Sequence, residues 1–228
     1  TSQFGANRRN TFSFQITPRL TGTFRYARIE DFDPLGDRFD RSFDLHYQLF
    51  DERGARPAVA VGLRDFGGTG IYSSEYLAAT KTFGPLQVTG GVGSRRIAGR
   101  NTVDAPLGFL GEDFETRPDP DITNIETTGQ LDFDNWFRGE AAFFGGVSYR
   151  PNDRWTLVAE YSPDLYVTEE GKGVFKVESP WNFGASYRLR NGVEVGANYL
   201  YGSELGVRLS YVFDPAERPS GAGRSSAP

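Results

Sequence analysis

The chain has 228 residues, 28 glycines, no cysteine and a formal net charge of −5. The acidic balance argues against a nucleic-acid partner, and the lack of cysteine excludes disulfides and thiol catalysis. Only 38% of the residues are hydrophobic whereas 14% are aromatic, and no apolar run is long enough for a transmembrane helix. This composition is typical of a sheet, so we expect an all-β protein.

Alternating apolar and polar residues predict twelve strands along the chain. They cover residues 1–6, 10–17, 20–28, 41–50, 57–66, 74–83, 86–95, 139–150, 155–162, 181–189, 193–201 and 204–213. Short turns tend to alternate with long connections, and the three longest are 29–40, 96–138 and 163–180. Because this layout is typical of outer-membrane barrels, we predict an antiparallel up-and-down transmembrane β-barrel over residues 1–213, with both termini on the short-turn side.

The predicted strands have one apolar and one polar face. The apolar face is clear in the last strand, where Leu205, Val207, Leu209, Tyr211 and Phe213 alternate with small or polar residues. The polar face is predicted to line the lumen, with Arg25, Asp44, His46, Arg64, Arg95, Glu160, Arg188, Glu194 and Arg208 as its charged or titratable members. A soluble β-sandwich shows the same alternation with its apolar face inward. Aromatic residues at strand ends and charges at mid-strand favour a lipid-facing exterior.

The predicted lumen carries more arginines than carboxylates. One hypothesis is a net basic lumen that contacts the anionic groups of a glycan, and the alternative is internal ion pairing that plugs a small barrel. His46 lies between Asp44 and Gln48, a pattern that would permit acid–base chemistry. Because no nucleophile can be placed near it, we favour a hydrogen-bonded lumen residue. No catalytic residue, metal site or cofactor is predicted.

The connection 96–138 is strongly acidic. Nine acidic residues lie between Asp104 and Asp134, against the single basic residue Arg117. Such a segment is either a solvated loop or a surface that binds divalent cations beside lipopolysaccharide or handles sugars. Trp136 and Phe137 are predicted either to stack on a sugar ring or to anchor the loop at the membrane interface.

The last fifteen residues have a different composition from the strands. Residues 214–228 are rich in Pro, Gly and Ser and lack apolar periodicity. This pattern predicts a flexible periplasmic tail, or a strap that binds another envelope protein.

Several segments resemble the YjbH family of GfcD-like outer-membrane barrel proteins associated with exopolysaccharide and capsule systems. They include "RNTFSFQITPRLTGTFRYARIED", "DNWFRGEAAFFGGVSY" and, most specifically, "RPAVAVGLRDFGGTGIYSSEYLAATK". The resemblance implies an outer-membrane location, contact with lipid and lipopolysaccharide, no enzymatic activity, and a role in secretion or assembly of an exopolysaccharide. The larger family members are longer than one barrel. An alternative function is therefore an accessory barrel that binds or anchors another envelope complex.

Overall fold

The fold is a single antiparallel sheet with very little helix. The computed structural model describes residues 2–4, 7–33, 36–67, 70, 72–117, 136–171, 173–189 and 192–211. The strands are β1 Ser2–Phe4, β2 Asn7–Thr17, β3 Leu20–Asp33, β4 Gly36–Phe50, β5 Ala58–Arg64, β6 Ser74–Phe83, β7 Leu86–Ser94, β8 Thr102–Val103, β9 Ala141–Tyr149, β10 Trp155–Tyr161, β11 Trp181–Arg188, β12 Val193–Leu200 and β13 Glu204–Tyr211. The five-residue helix α1 covers Val167–Gly171, and 3-10 turns cover Arg95–Ile97, Gly108–Leu110 and Glu112–Phe114.

The strands follow one another around the sheet in chain order. Each pairs with its sequence neighbour, except that β7 pairs with β9. All twelve predicted strands are present, which confirms the all-β class and the antiparallel up-and-down order. The two-residue β8 was not predicted. It pairs with Ala141 and Ala142 at the end of β9, where β10 leaves the edge free because its own pairing stops at Gly145.

One predicted loop is instead mostly strand. Residues 29–40 were expected to form a long connection, but β3 and β4 continue through most of that segment, and Ile29 pairs with Arg38 and Asp33 with Gly36. The segment contains four Asp, Glu30, Pro34 and Gly36, residue types with low strand propensity, so the sequence pattern ends the two strands too early. Ladder pairing with a neighbouring strand outweighs that weak local preference.

The sheet curls so that one face is concave. Five ladder steps separate β4 from β10, which would place them about 24 Å apart in a flat sheet. Nevertheless His46 of β4 and Glu160 of β10 line the same cavity. Among the described residues, the pairings do not join β13 to β1.

The convex face is apolar and exposed, as the alternation predicts. Exposed side chains on it include Phe12, Phe14, Ile16, Phe43, Tyr47, Leu77, Phe83, Val88, Phe143, Val147, Trp155, Leu157, Trp181, Phe183, Val195, Tyr199, Leu205, Val207 and Leu209. Exposure is greatest on β13, where Leu205 and Val207 are 85% and 86% exposed, because only β12 flanks that strand. The described residues contain no helix that is both long and apolar enough to cross a membrane.

Candidate functional site

The concave face holds a partly open cavity of about 600 Å³. Side chains that line it come from β4 to β7, from β9 and β10, and from the segments that follow β7 and β10. They include His46, Gln48, Ala58, Ala60, Arg64, Tyr76, Ala78, Thr80, Gln87, Thr89, Ile97, Phe144, Ser148, Val158, Glu160, Ser162 and Pro163. The lining is mainly hydroxyl, amide and small side chains, with two aromatic rings.

Two glycines seat those aromatic rings. A Cβ added to Gly62 would lie 2.2 Å from the Tyr76 ring, and one added to Gly91 would lie 2.3 Å from Cζ of Phe144. Each ring therefore lies across the backbone of the neighbouring strand, where any other residue would clash. The two rings meet edge to face, with their centroids 6.1 Å apart and their planes at 84°. They form two perpendicular aromatic walls in a cavity whose lining mixes polar and apolar side chains.

The cavity carries charges of both signs. Arg64 and Glu160 both line it, and their charges interact. The hydroxyl of Tyr76 lies 3.1 Å from Nδ1 of His46, so this histidine is a hydrogen-bonded member of the lining. With one guanidinium balanced by one carboxylate, the cavity has little net charge.

The other predicted lumen residues lie apart from this cavity. Arg25 and Asp44 form an ion pair with each other. Arg208 lies 2.7 Å from Glu194, and Arg188 lies 3.6 Å from the same carboxylate. Arg25 thus has a carboxylate of its own, whereas Arg188 and Arg208 share the carboxylate of Glu194. Contact of the lumen residues with an anionic glycan stays a prediction.

Arg95 is not on the inner face of β7. The strand was expected to include it but ends at Ser94, and Arg95 begins a 3-10 turn with φ of 57°. The positive φ turns the chain out of the ladder, so Arg95 lies at the rim of the sheet.

The rim at the long-loop end carries a network that we call the mouth cluster: Tyr72, Arg96, Asp164, Tyr166 and Glu169. Arg96 donates from Nε to Asp164 at 2.6 Å and from a terminal nitrogen to both oxygens of Glu169 at 2.8 and 2.9 Å. Its guanidinium also lies 4.8 Å from the ring centre of Tyr72 and 5.1 Å from that of Tyr166. The Arg96 side chain thus links three loops: the one before β6, the one after β7 and the one after β10.

Other side chains extend the mouth cluster on both sides. Arg9 of β2 lies 4.7 Å from the ring centre of Tyr72, which connects the cluster to the first strands. On the opposite side Tyr201 stacks on Phe175 with centroids 4.5 Å apart and lies 4.6 Å from Tyr166. Pro163 is fully buried beneath the cluster. Packed side chains therefore border the long-loop end of the cavity, where Ile97 and Pro163 line it.

The ionisation of the cluster follows from its burial. Burial alone would lower the pKa of Arg96, but Asp164 and Glu169 together raise that pKa above its ordinary value. Burial raises the pKa of Tyr201, and the neighbouring Tyr166 raises it further. At neutral pH the guanidinium is therefore charged and the phenols are neutral, the state in which a cation and π-faces attract each other.

Asp65 holds the backbone of Tyr72 in place through a hydrogen bond. It follows β5 with a positive φ of 49°, accepts a hydrogen bond from the backbone N–H of Tyr72 at 2.9 Å, and donates its own N–H to Asp44 at 2.9 Å. Burial, followed by the repulsion of Asp40, raises its pKa from 3.8 to about 7. A carboxyl group that titrates near neutrality thus lies under the mouth cluster.

The described ends of the acidic connection after β7, up to Arg117 and from Trp136, lie against the sheet. Arg117 donates two hydrogen bonds to Glu75 of β6, at 2.6 and 2.7 Å. The same carboxylate accepts from Ser94 at 2.5 Å and from the backbone N–H of Phe137 at 3.2 Å. The ring of Trp136 stands edge-on to that of Phe66 at 6.1 Å. Arg117, Trp136 and Phe137 are thus packed against the sheet. Residues 118–135, which include many of the predicted acids, lie outside the described residues.

Several of these residues carry no sequence motif. Glu75, Arg96, Asp164 and Glu169 are separated by up to about a hundred positions, and the alternation of strands does not extend into their loops. Glu75 even falls on the same parity of β6 as the exposed Leu77 and Phe83. Charged residues close to the ends of predicted strands are the one feature of the sequence that indicates a network of ion pairs at the rim.

The geometry is that of a binding cavity. Among the residues described, no group of three His, Asp or Glu side chains is placed to hold a metal ion. The described cavity lining also has no hydroxyl or thiol paired with the single histidine other than the phenol of Tyr76. Aromatic walls surrounded by hydroxyl and amide groups are suited to binding a polar molecule through stacking and hydrogen bonds.

Comparison with known proteins gives a family and a curated relative. Residues 1–228 match the YjbH family, described as exopolysaccharide biosynthesis protein YbjH. An "Uncharacterized lipoprotein YjbH" of Escherichia coli strain K12 is 33% identical over 219 residues, which are 91% of this chain and 30% of that protein. The chain therefore spans about a third of the length of that relative.

Among solved structures, a NanC porin aligns with a TM-score of 0.45 and 10% sequence identity. The alignment covers 91% of this chain and 93% of the porin chain.

Proposed function

The chain belongs to the YjbH family, and we propose that it is a non-enzymatic outer-membrane β-barrel protein that acts in the secretion or assembly of an exopolysaccharide. The family description supplies the link to exopolysaccharide. The name of the Escherichia coli relative, a lipoprotein, supports a place in the cell envelope.

The observation that carries the membrane part of the proposal is the distribution of residues on the convex face. Apolar side chains cover it and stay exposed, which in water would be an unusually large apolar surface. Cross-strand aromatic pairs stand at both ends of β10 and β11: Trp155 against Tyr187, and Tyr161 against Trp181. The two pairs are six positions apart along β10, a distance of about 20 Å. This spacing fits two aromatic girdles that flank a lipid-facing band.

In a bilayer the outer edges of the sheet must find hydrogen-bond partners. Exposed backbone groups on β13 and on the first strands would cost several kcal/mol each in hydrocarbon. We therefore propose that the first and last strands pair in the membrane and close the barrel. Lipid and lipopolysaccharide are its surroundings in this proposal.

A cellular experiment tests the proposal. The full protein is fractionated from its native host, and a deletion strain is assayed for secreted polysaccharide. We expect the protein in the outer membrane, faster migration on a gel before boiling than after, and a loss of polysaccharide that the restored gene reverses. Recovery of the protein in the soluble fraction, or unchanged polysaccharide in the deletion strain, would contradict it.

A second candidate function is an accessory barrel that holds another envelope complex. The mouth cluster favours it, since the bonds that hold Arg96 to Asp164 and Glu169 would obstruct a path through the long-loop end of the cavity. A polymer conduit needs a continuous hydrated path, whereas an accessory barrel does not. The predicted strap, residues 214–228, lies outside the described residues. Single-channel conductance separates the two candidates, because only a conduit gives open-channel steps.

A further inference from the structure

We propose that the inner cavity is a blind saccharide-binding site that takes a short uncharged sugar chain from the short-turn side of the sheet. This inference rests on the proposed function, which supplies the link to exopolysaccharide. It goes further by naming the site, the chemical class of its ligand and the side of entry.

The shape of the cavity supports a small ligand. Its volume of about 600 Å³ lies in the range of sites for small molecules. Ile97, Ser162 and Pro163 line it at the long-loop end, directly under the mouth cluster. Its opposite end is lined by Gln48, Ala58, Thr80, Gln87 and Ser148, which lie close to the short turns. Entry is therefore from the short-turn side, and a long polymer cannot thread through.

The aromatic walls suit a sugar ring. A pyranose presents apolar C–H groups on its faces and hydroxyl groups around its edge, so it binds where an aromatic face stands among hydrogen-bonding groups. Phe144 supplies a face, and its edge-to-face contact with Tyr76 holds both rings in place. Each ring lies directly over a glycine, Gly62 or Gly91, where a Cβ would clash with it. The positions of both rings therefore depend on glycine in the neighbouring strand.

The polar lining matches hydroxyl groups rather than a charge. Gln87 and Ser148 line the same cavity with donors and acceptors. Gln48, Thr80 and Thr89 add further polar atoms, although Gln48 also donates to Asp51 and the two threonine hydroxyls bond each other. The charges of Arg64 and Glu160 oppose each other within the same lining. An anionic sugar would gain from the guanidinium but would be repelled by the carboxylate. An uncharged saccharide avoids that conflict and can hydrogen-bond to both groups.

Binding is measured by saturation-transfer NMR on the full protein in lipid nanodiscs. The probes are the uncharged disaccharides cellobiose, lactose and mannobiose, with glucuronate as the charged comparison. We expect at least one disaccharide to bind in preference to glucuronate. The substitution Phe144→Ala should weaken that binding about tenfold, the scale of a lost ring contact. Phe143→Ala removes the adjacent, outward-facing ring, which is 64% exposed, and should leave binding unchanged.

A second pair of variants keeps every cavity side chain. Gly91→Val places a Cβ against Phe144 and should displace its ring and weaken binding as strongly as Phe144→Ala. Gly90→Val is its control, because a Cβ at Gly90 meets no atom within 4 Å. If the protein folds and no disaccharide binds, if glucuronate is preferred, or if all four variants bind equally well, the inference is wrong.

The outcome is separable from that of the proposed function. Loss of polysaccharide in the deletion strain, together with absence of saccharide binding, overturns the binding site and leaves the function standing. Saccharide binding with unchanged polysaccharide output overturns the function and leaves the site. Restoring the deletion strain with the Phe144→Ala variant then shows whether the cell uses the site.

Discussion

Arg117 and Glu75 form a two-pronged ion pair across 42 positions of the chain. Their side chains are only 9% and 3% exposed. The pair holds Arg117 against β6, and the backbone N–H of Phe137 bonds to the same carboxylate. The described residues on either side of 118–135 therefore meet at Glu75.

The substitution Arg117→Ala should destabilise the protein strongly. It leaves the buried carboxylate of Glu75 without its cation, which typically costs about 3–5 kcal/mol. We expect a lower free energy of unfolding in a urea titration of the full protein in lipid vesicles, followed by tryptophan fluorescence. Arg19→Ala is the matched control, because Arg19 and Asp51 form an ion pair in which both side chains are about half exposed, worth about 0–1 kcal/mol.

The same pair allows a rescue experiment. In the Arg117→Ala background, Glu75→Gln removes the unpaired charge while keeping an oxygen for Ser94 and for the N–H of Phe137. Part of the lost stability should return. If Arg117→Ala were as mild as Arg19→Ala, the connection would not depend on this pair.

Opening the mouth cluster should make the barrel permeable. Arg96→Ala removes the side chain that joins Tyr72, Asp164 and Glu169. We expect liposomes that contain this variant to admit small sugars several-fold faster than wild type in an osmotic swelling assay. Arg208→Ala serves as the control, since it removes a 57% exposed arginine that lies outside the cluster. Fast swelling with the wild-type protein would show that the mouth is open.

Asp65 should make stability depend on pH. Its pKa is about 7 in the folded protein against an ordinary value of 3.8, so between these pH values the folded state holds a proton that the unfolded chain has lost. Stability from this group is therefore present below pH 4, falls as pH rises, and is lost above pH 7, at about 1.4 kcal/mol per pKa unit. Asp65→Asn should raise the unfolding midpoint more at pH 8 than at pH 5.

A control isolates this effect from the many other carboxylates. Asp51→Asn changes an exposed carboxylate on the short-turn side and should shift the midpoint by a similar small amount at both pH values. Equal shifts for Asp65→Asn at pH 5 and pH 8 would contradict the raised pKa. The charged groups around Asp65 are Asp40, Asp44 and Arg25.

A lysine on the convex face should be costly if that face meets lipid. Leu157 lies there at the middle of β10, and a lysine at the bilayer midplane costs about 2–4 kcal/mol. The neighbouring Thr156 lines a smaller cavity of about 170 Å³ on the concave face, so Thr156→Lys is the matched control. Leu157→Lys should reduce the folded, heat-modifiable form after refolding into vesicles, whereas Thr156→Lys should be tolerated. In a sheet surrounded by water the outward lysine would be harmless.

Much of the sheet follows from local patterns. The period of two in β2, β10 or β13 depends only on alternate side chains pointing to opposite faces, and short turns such as Gly84 with Pro85 lie directly between strands. Strand order also follows, since consecutive antiparallel strands pair across short turns. The pattern fails at 29–40, where ladder pairing extends two strands through residues of low strand propensity.

The sequence by itself determined which residues form strands, which face of each strand is apolar, and which family the chain resembles, because these depend on neighbours along the chain. Only the tertiary structure decided how the sheet curls, and with it the meeting of Tyr76 and Phe144, of Arg96 and Glu169, and of Arg117 and Glu75. Those contacts join residues from distant strands and loops. Curvature arises from the sum of many small twists between strands, so it brings such residues together without leaving a local pattern.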